Sequence, residues 1–267
     1  MGRPKLSDIA ICKVSVASLR RFPAHNAILI SQVLFGEYVT ILSKKNKDWY
    51  RVQSQWDNII GWIDAKQFYV LRVSDIKKIV KGKAFALDHF QSLSSEEITF
   101  PISLGSDLGI CDGLNVKMPF SNFRYSGQIL QVGHKMELDK LLSTIVCRYI
   151  HCPHLEGGRS IMGIDGSGLM QIAYKMIGYQ LPRSVQEQSV HGVDVGFANH
   201  SKVGDLAFFH DGNQEIHHIG MILADNQIIH VHGQVRVDTF DHQGIYNKQT
   251  KRYIYYLKTI RRILKAD

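Results

Sequence analysis

From Ile11 to Leu71, short apolar and β-branched runs alternate with turn residues. Ile28–Leu34 reads as one strand and Tyr38–Leu42 as the next, after Gly36. Trp49–Val52 and Ile59–Ile63 follow on either side of Asp57 and Asn58. Strands at a spacing of roughly ten residues predict a small barrel over 8–72, with Trp49, Tyr50 and Trp62 helping to close its core. Phe85–Leu87, Ile98–Ile102 and Gly127–Val132 predict a second barrel over 76–134. At Glu137 the period changes. Leu138, Leu141, Leu142, Ile145, Val146 and Tyr149 recur at helical spacing, and Leu169, Ile172, Ala173, Met176 and Ile177 mark a second helix over 167–177 that ends at Gly178. Ser184 and Glu187 form a capping-box pair that opens a third helix, ended by Gly192. Strands return at Asp205–Phe209, Ile219–Leu223, Gln227–Val231, Arg236–Phe240 and Tyr253–Ile260, with Asp225 and Asn226 suited to a hairpin turn. Helices first and an antiparallel sheet after is the order of an α+β domain, here 136–267.

The chain has 267 residues, enough for two or three domains, and its 45% apolar and 21% charged share is that of a folded protein. No apolar run approaches the roughly 20 residues of a membrane span. Met1 to Ile11 hold no signal-peptide core. As given, the sequence reads as cytoplasmic, with the periplasm or cell envelope as the destination if a leader has been removed. Cys12, Cys111, Cys147 and Cys152 are scattered, so free thiols are expected rather than a disulfide framework. The net charge of +8 favours acidic partners. No basic run or motif points to nucleic acid, and the basic residues Lys248, Lys251, Arg252, Arg261, Arg262 and Lys265 read as a solvated face. The sequence is silent on oligomeric state.

Chemistry concentrates in two places. The segment Gly157–Leu169 enters the second helix, and a side chain in the first turn there meets the partial positive charge of the aligned amides. A thiol at that point would have a lowered pKa. Position 166 is where such a nucleophile belongs, and the residue is glycine. Downstream, His218 opens one strand and His230 closes the next, a spacing that suits a tight hairpin. Two imidazoles on adjacent strands can serve as a base and its orienting partner. On spacing alone, two half-buried strand histidines are the preferred reading.

Ordered motifs carry a resemblance. Gly157–Ser160, Gly163–Gly168, Leu181–Arg183, Gly204–Leu206, His218–Met221 and Ile228–His230 follow the pattern of the NlpC-type papain-like murein peptidases. Gln32–Glu37 and Gly61–Asp64, with Lys66 and Gln67, are similar to the Src-homology-3-like barrels of the subgroup that cleaves γ-D-glutamyl–diamino-acid bonds. The resemblance implies a papain-like domain, with helices packed on an antiparallel sheet, behind one or two such barrels. It makes His218 the base and His230 its orienting partner. It places Asp165 and Ser167 at the free amine of an L-alanyl-γ-D-glutamyl peptide, with Ile59, Glu156, Arg159 and Val185 also around the peptide. Murein-derived peptides or cell-wall fragments are the implied partners, with no nucleic acid, no cofactor and no metal.

Departures cluster at that site. The family cysteine is Gly166, a tyrosine of the first barrel is Ile59, a tryptophan is Glu156 and an aspartate is Ser184. Loss of a nucleophile costs on the order of a million-fold in rate by serine-protease precedent. Ser167 is a poor substitute, because one residue along a helix turns a side chain by about 100°. Three readings stay open: an inactive homologue kept for binding, an active enzyme whose cysteine was replaced in this version of the chain, and a scaffold that works through its barrels. Cys147, His151, Cys152 and His154 lie close in sequence but match no zinc spacing.

Overall fold

The computed structural model describes residues 8–72, 74–75, 84–133, 137–212 and 214–264. The first seven residues of the signal-peptide reading, the 76 and 134 bounds of the second barrel, the 136 bound of the peptidase domain and Lys265 lie outside the described residues. The chain is divided into two compact units. One comprises 1–134 with 156–161 and 178–180, and the other the remainder.

The N-terminal unit holds two β systems. In the first, β1 (Ile9–Cys12), β2 (Val16–Arg20), β3 (Leu29–Leu34), β4 (Tyr38–Lys45), β5 (Trp49–Ser54), β6 (Ile60–Asp64) and β7 (Phe68–Val70) form one antiparallel sheet ordered β3-β2-β6-β5-β4-β1-β7. Strand alternation sends Ala10, Ala17, Leu19, Val33, Val39, Val52, Ile63 and Phe68 to a single core, so the sheet curls around it. In the second, β9 (Phe90–Ser94), β10 (Thr99–Ser103), β11 (Ile110–Asp112), β12 (Asn115–Lys117) and β13 (Asn122–Tyr125) form a five-stranded sheet, and β8 (Ala84–Ala86) pairs with β14 (Ile129–Gln131). Phe35, Phe100, Phe120 and Phe123 meet mostly edge to face where the two systems touch. There the amide of Asp107 donates to Phe35 O at 2.9 Å. A methyl group on Gly36, whose φ is +80°, would stand 1.8 Å from Asp107 O, so only glycine fits.

A segment distant in sequence is stapled onto this unit. Arg159, in the short β15 (Arg159–Ser160), is 2% exposed. It donates from Nη1 to Gln32 O at 2.6 Å and to Glu37 Oε2 at 2.9 Å, and from Nη2 to Glu37 Oε1 at 3.0 Å. Glu37 Oε2 also accepts from the Leu34 amide at 2.8 Å and so ties the turn before β4.

The C-terminal unit contains α1 (Leu138–Cys147), the two-residue β16 (Gly163–Ile164), α2 (Gly166–Met176) and α3 (Val185–Ser189). These precede β17 (Val193–Asp194), β18 (Leu206–His210), β19 (His218–Ile222), β20 (Gln227–His232), β21 (Gln234–Phe240), β22 (Gly244–Asn247) and β23 (Arg252–Arg262). Their order is β17-β23-β18-β19-β20-β21-β22, and β22 pairs again with β23. Six strands therefore close into a barrel around Ala207, Phe209, Ile222, Ile228, Phe240, Ile245 and Ile260. Asp225 and Asn226, at φ of 59° and 56°, make the left-handed pair that a tight β19–β20 hairpin needs.

The helices-then-sheet order expected over 136–267 is that of the second unit, but its sheet is rolled up rather than an open layer, and strand predominates over helix across the chain, 45% to 14%. The long strand β23, which pairs with β17, β18 and β22, is what closes it.

Candidate active site

The first turn of α2 is built by Asp165. Its Oδ1 accepts from the Gly168 amide at 2.7 Å, capping the helix. Arg183 grips the same carboxylate with both nitrogens, at 2.9 Å to Oδ1 and 2.6 Å to Oδ2. Ser167 Oγ donates to Asp165 Oδ1 at 3.1 Å and accepts from Arg183 at 2.8 Å. Both residues expected at a substrate amine are thus already engaged, and Asp165 has its charge neutralised by a buried guanidinium. Ser167 thereby commits its proton to Asp165.

Gly166 is the first helical residue, and its φ lies outside the left-handed range. A methyl group there would meet only Ile219, at 3.1 Å from Cγ2 and 3.5 Å from O. A Cβ fits at this position if the Ile219 Cγ2 methyl gives by a few tenths of an ångström. Ile219 is the residue after His218 on β19.

His218, His230 and Asp238 share strand parity with Ile222, Ile228 and Phe240, which fill the barrel, and they occupy one end of that interior face. His218 Nε2 lies 2.9 Å from His230 Nδ1, and His230 Nε2 lies 2.9 Å from Asp238 Oδ2. The carboxylate fixes the proton positions. His230 must give its Nε2 proton to Asp238, so its Nδ1 accepts from His218 Nε2, and His218 Nδ1 is left with a lone pair. This is the arrangement of a general base with a two-member relay behind it.

Electrostatics agree. Burial, and then the charge of His230, pushes the pKa of His218 well below 6.5. Burial also lowers His230 against the opposing pull of Asp238. Burial alone would raise Asp238, but hydrogen bonds from His230 and Arg236, whose Nη2 donates at 2.9 Å, hold it below the usual carboxylate range. Tyr255 lies flat on His218, with centroids 3.7 Å apart and planes 8° apart. Burial raises its phenol pKa, so the hydroxyl remains a donor, 3.0 Å from His232 Nδ1.

Of the residues that the sequence singles out, the structure brings His218 and His230 together, and it groups Asp165 with Ser167. Val185 is half-buried at the first position of α3. Ile59 and Glu156 belong to the N-terminal unit, where Ile59 packs against the first barrel's core and Glu156 is exposed. Arg159 corrects an expectation: its guanidinium is buried on Glu37 and Gln32 and is not presented to a peptide. Asp238, Arg183 and Tyr255 went unrecognised as site residues. Asp238 had one signal, an acidic residue at a core-parity position of a strand. Among the described residues, no group of three or more His, Cys, Asp and Glu is placed to hold a metal, and no helix is long and apolar enough to cross a membrane.

Known families match this geometry. Residues 152–254 match the NlpC/P60 family, and residues 19–68 match the bacterial dipeptidyl-peptidase Sh3 domain. The chain carries an NlpC/P60 domain behind a bacterial SH3 domain. A γ-D-glutamyl-L-lysine dipeptidyl-peptidase of Bacillus subtilis is 36% identical over 84 residues, 31% of this chain and 28% of that protein. A probable endopeptidase NlpC homologue of Haemophilus influenzae is 33% identical over 93 residues, 34% of this chain and 48% of its own length. The matched stretches thus span less than half of either relative. A crystal structure of an NlpC/P60 family protein from Bacillus cereus superposes with a TM-score of 0.79 at 22% identity, covering 96% of this chain and all of that one. At that identity the likeness speaks for the fold. In the NlpC/P60 domain of this chain, the relay sits on β19, β20 and β21, and position 166 opens α2.

Proposed function

We propose that the NlpC/P60 domain binds the stem peptide of murein, L-alanyl-γ-D-glutamyl–diamino acid, and does not hydrolyse it. The observation that carries this reading is the hydrogen-bonded His218–His230–Asp238 chain together with Gly166 at the first position of α2, where the resemblance puts a nucleophile. A lone pair on His218 has no thiol to deprotonate, and direct attack by water on an unactivated amide lacks the covalent step that splits the barrier. The kinship to a γ-D-glutamyl-L-lysine dipeptidyl-peptidase supports the substrate class. Asp165, Ser167 and Val185 are the residues of this domain assigned to the peptide, with Asp165 acting from within its Arg183 pair. Gly166→Cys is the informative change, because the backbone there suits a non-glycine residue and an added Cβ would meet only Ile219.

The test is calorimetric titration of the unmodified chain with L-Ala-γ-D-Glu-L-Lys, with the mixture then analysed for released products. Saturable binding without product is expected. Absence of binding, or steady release of dipeptide, contradicts the proposal. The retained relay and the space at position 166 equally suit a second reading, an active cysteine endopeptidase whose nucleophile has been replaced by Gly166. A cysteine codon at position 166 in the natural gene would decide for it.

A further inference from the structure

The first sheet carries a ladder of cations and indoles that the NlpC/P60 site does not use. Arg20 of β2 stands opposite Trp62 of β6, and Trp62 stands opposite Arg51 of β5. One step along, Lys45 of β4 stands opposite Trp49 of β5, which faces Asp64 of β6. Directly opposed residues share a face with Cβ atoms about 4.5–5.5 Å apart, and diagonal neighbours lie about 7–8 Å apart. Trp62 is therefore flanked by two guanidinium stems, with Trp49 diagonal to it. This is the outward face, because Val52 and Ile63, of opposite parity on β5 and β6, are fully buried. Arg51 is exposed and both indoles are half-buried. His25, in the loop after β2, brings its ring to 5.0 Å from Trp49 and lengthens the aromatic strip.

The charge on this strip is positive. Asp48 nearby is paired with Lys66 at 3.1 Å, and Asp64 Oδ1 accepts from the Lys66 amide at 2.9 Å. Indole faces suit the apolar faces of sugar rings, and the exposed guanidinium of Arg51 suits a carboxylate, whereas half-buried Arg20 already donates from Nη1 to Ala27 O at 2.7 Å. Asp64 stands beside Trp49 on the same face, so a polymer with a charge on every unit would meet repulsion there. A chain whose charges are sparser fits better. We propose that this face binds an acidic glycan in which carboxylate-bearing and neutral sugars alternate, with rings on Trp62 and Trp49 and a carboxylate on Arg51. The proposal rests on the first barrel alone and stands apart from the peptide reading of the C-terminal unit.

The test uses the full chain, with a hyaluronan decasaccharide as the probe and chitohexaose and the decanucleotide (dT)10 as comparisons. Binding is followed by calorimetry and by tryptophan fluorescence at low salt. Hyaluronan is expected to bind at least about tenfold more tightly than chitohexaose and to lose affinity as salt rises. Trp62→Ala is expected to weaken binding about tenfold, and Arg51→Gln several-fold with a shallower salt dependence. Arg51 is exposed, so Arg51→Gln leaves the core intact and keeps the test open if Trp62→Ala unfolds. Four results would each overturn the proposal: no saturable hyaluronan binding, equal binding of chitohexaose, tighter binding of (dT)10, or unchanged affinity in a folded Arg51→Gln variant.

Discussion

Glu37→Ala tests whether Arg159 is a structural residue or a peptide-binding one. In the native unit the pair is almost dry, with side chains 2% and 6% exposed, and two short bonds join the guanidinium to the carboxylate. Removing the carboxylate leaves a buried cation that keeps its bond to Gln32 O but has lost its counter-charge, and it also frees the Leu34 amide. Breaking a buried pair from one side costs about 3–5 kcal/mol. At about 2–4 °C of melting temperature per kcal/mol for a unit of this size, the shift is on the order of 10 °C. Replacing both partners, as in Glu37→Leu with Arg159→Met, should recover most of that loss, because neither charge is then stranded. Thermal denaturation followed by circular dichroism reads the stabilities, and peptide calorimetry on Arg159→Lys reads the function. A shift below about 2 °C for Glu37→Ala would refute the reasoning. So would loss of peptide binding in Arg159→Lys at an unchanged melting temperature.

Other consequences follow from burial. The pKa of His218 is depressed, so the unfolded chain binds more protons than the folded one between that depressed value and 6.5. Stability of the C-terminal unit is therefore full above 6.5 and falls as the pH drops through that window. Urea denaturation at pH 7 and pH 5 should show the loss, with a smaller loss in His218→Gln; equal stabilities would contradict it. Burial pushes the Cys12 thiol up to about 12 and Cys152 to about 11, whereas Cys147 is exposed. Iodoacetamide at pH 8 should label Cys147 and spare Cys12 in the native protein, as read by mass spectrometry. Gly36→Ala, with its methyl driven into Asp107 O at a φ of +80°, should cost on the order of 3 kcal/mol in the N-terminal unit. A fully stable alanine variant would show that the junction can move.

Much of this architecture was legible in the sequence because period is a local property. Strand alternation located β3 to β6, and the 3.6-residue period located α1 and α2 to within a residue or two. Ser184 and Glu187 marked α3, and the Ser184 hydroxyl does accept from the Glu187 amide at 3.3 Å. The short strands β9, β11, β12 and β13 were missed, because three to five residues carry too little alternation to separate them from loops. Barrel closure was also invisible, since the pairing of β22 with β23 depends on where β23 bends. At the site, spacing and resemblance singled out His218 and His230. Asp238 enters through cross-strand register with Ile228, and Arg183 turns on Asp165 through the fold; neither leaves a mark in local pattern. Arg159 was misjudged for the same reason, its partner Glu37 being far away in sequence.

If Gly166 alone keeps the proposed site silent, restoring a sulfur there restores hydrolysis. The unmodified chain and Gly166→Cys are incubated in parallel with L-Ala-γ-D-Glu-L-Lys, and the products are separated by liquid chromatography. No release above buffer is expected from the unmodified chain. Measurable release is expected from the cysteine variant, abolished when His218→Gln is added. Turnover by the unmodified chain that disappears with His218→Gln, or a folded cysteine variant that releases nothing, would contradict this reading.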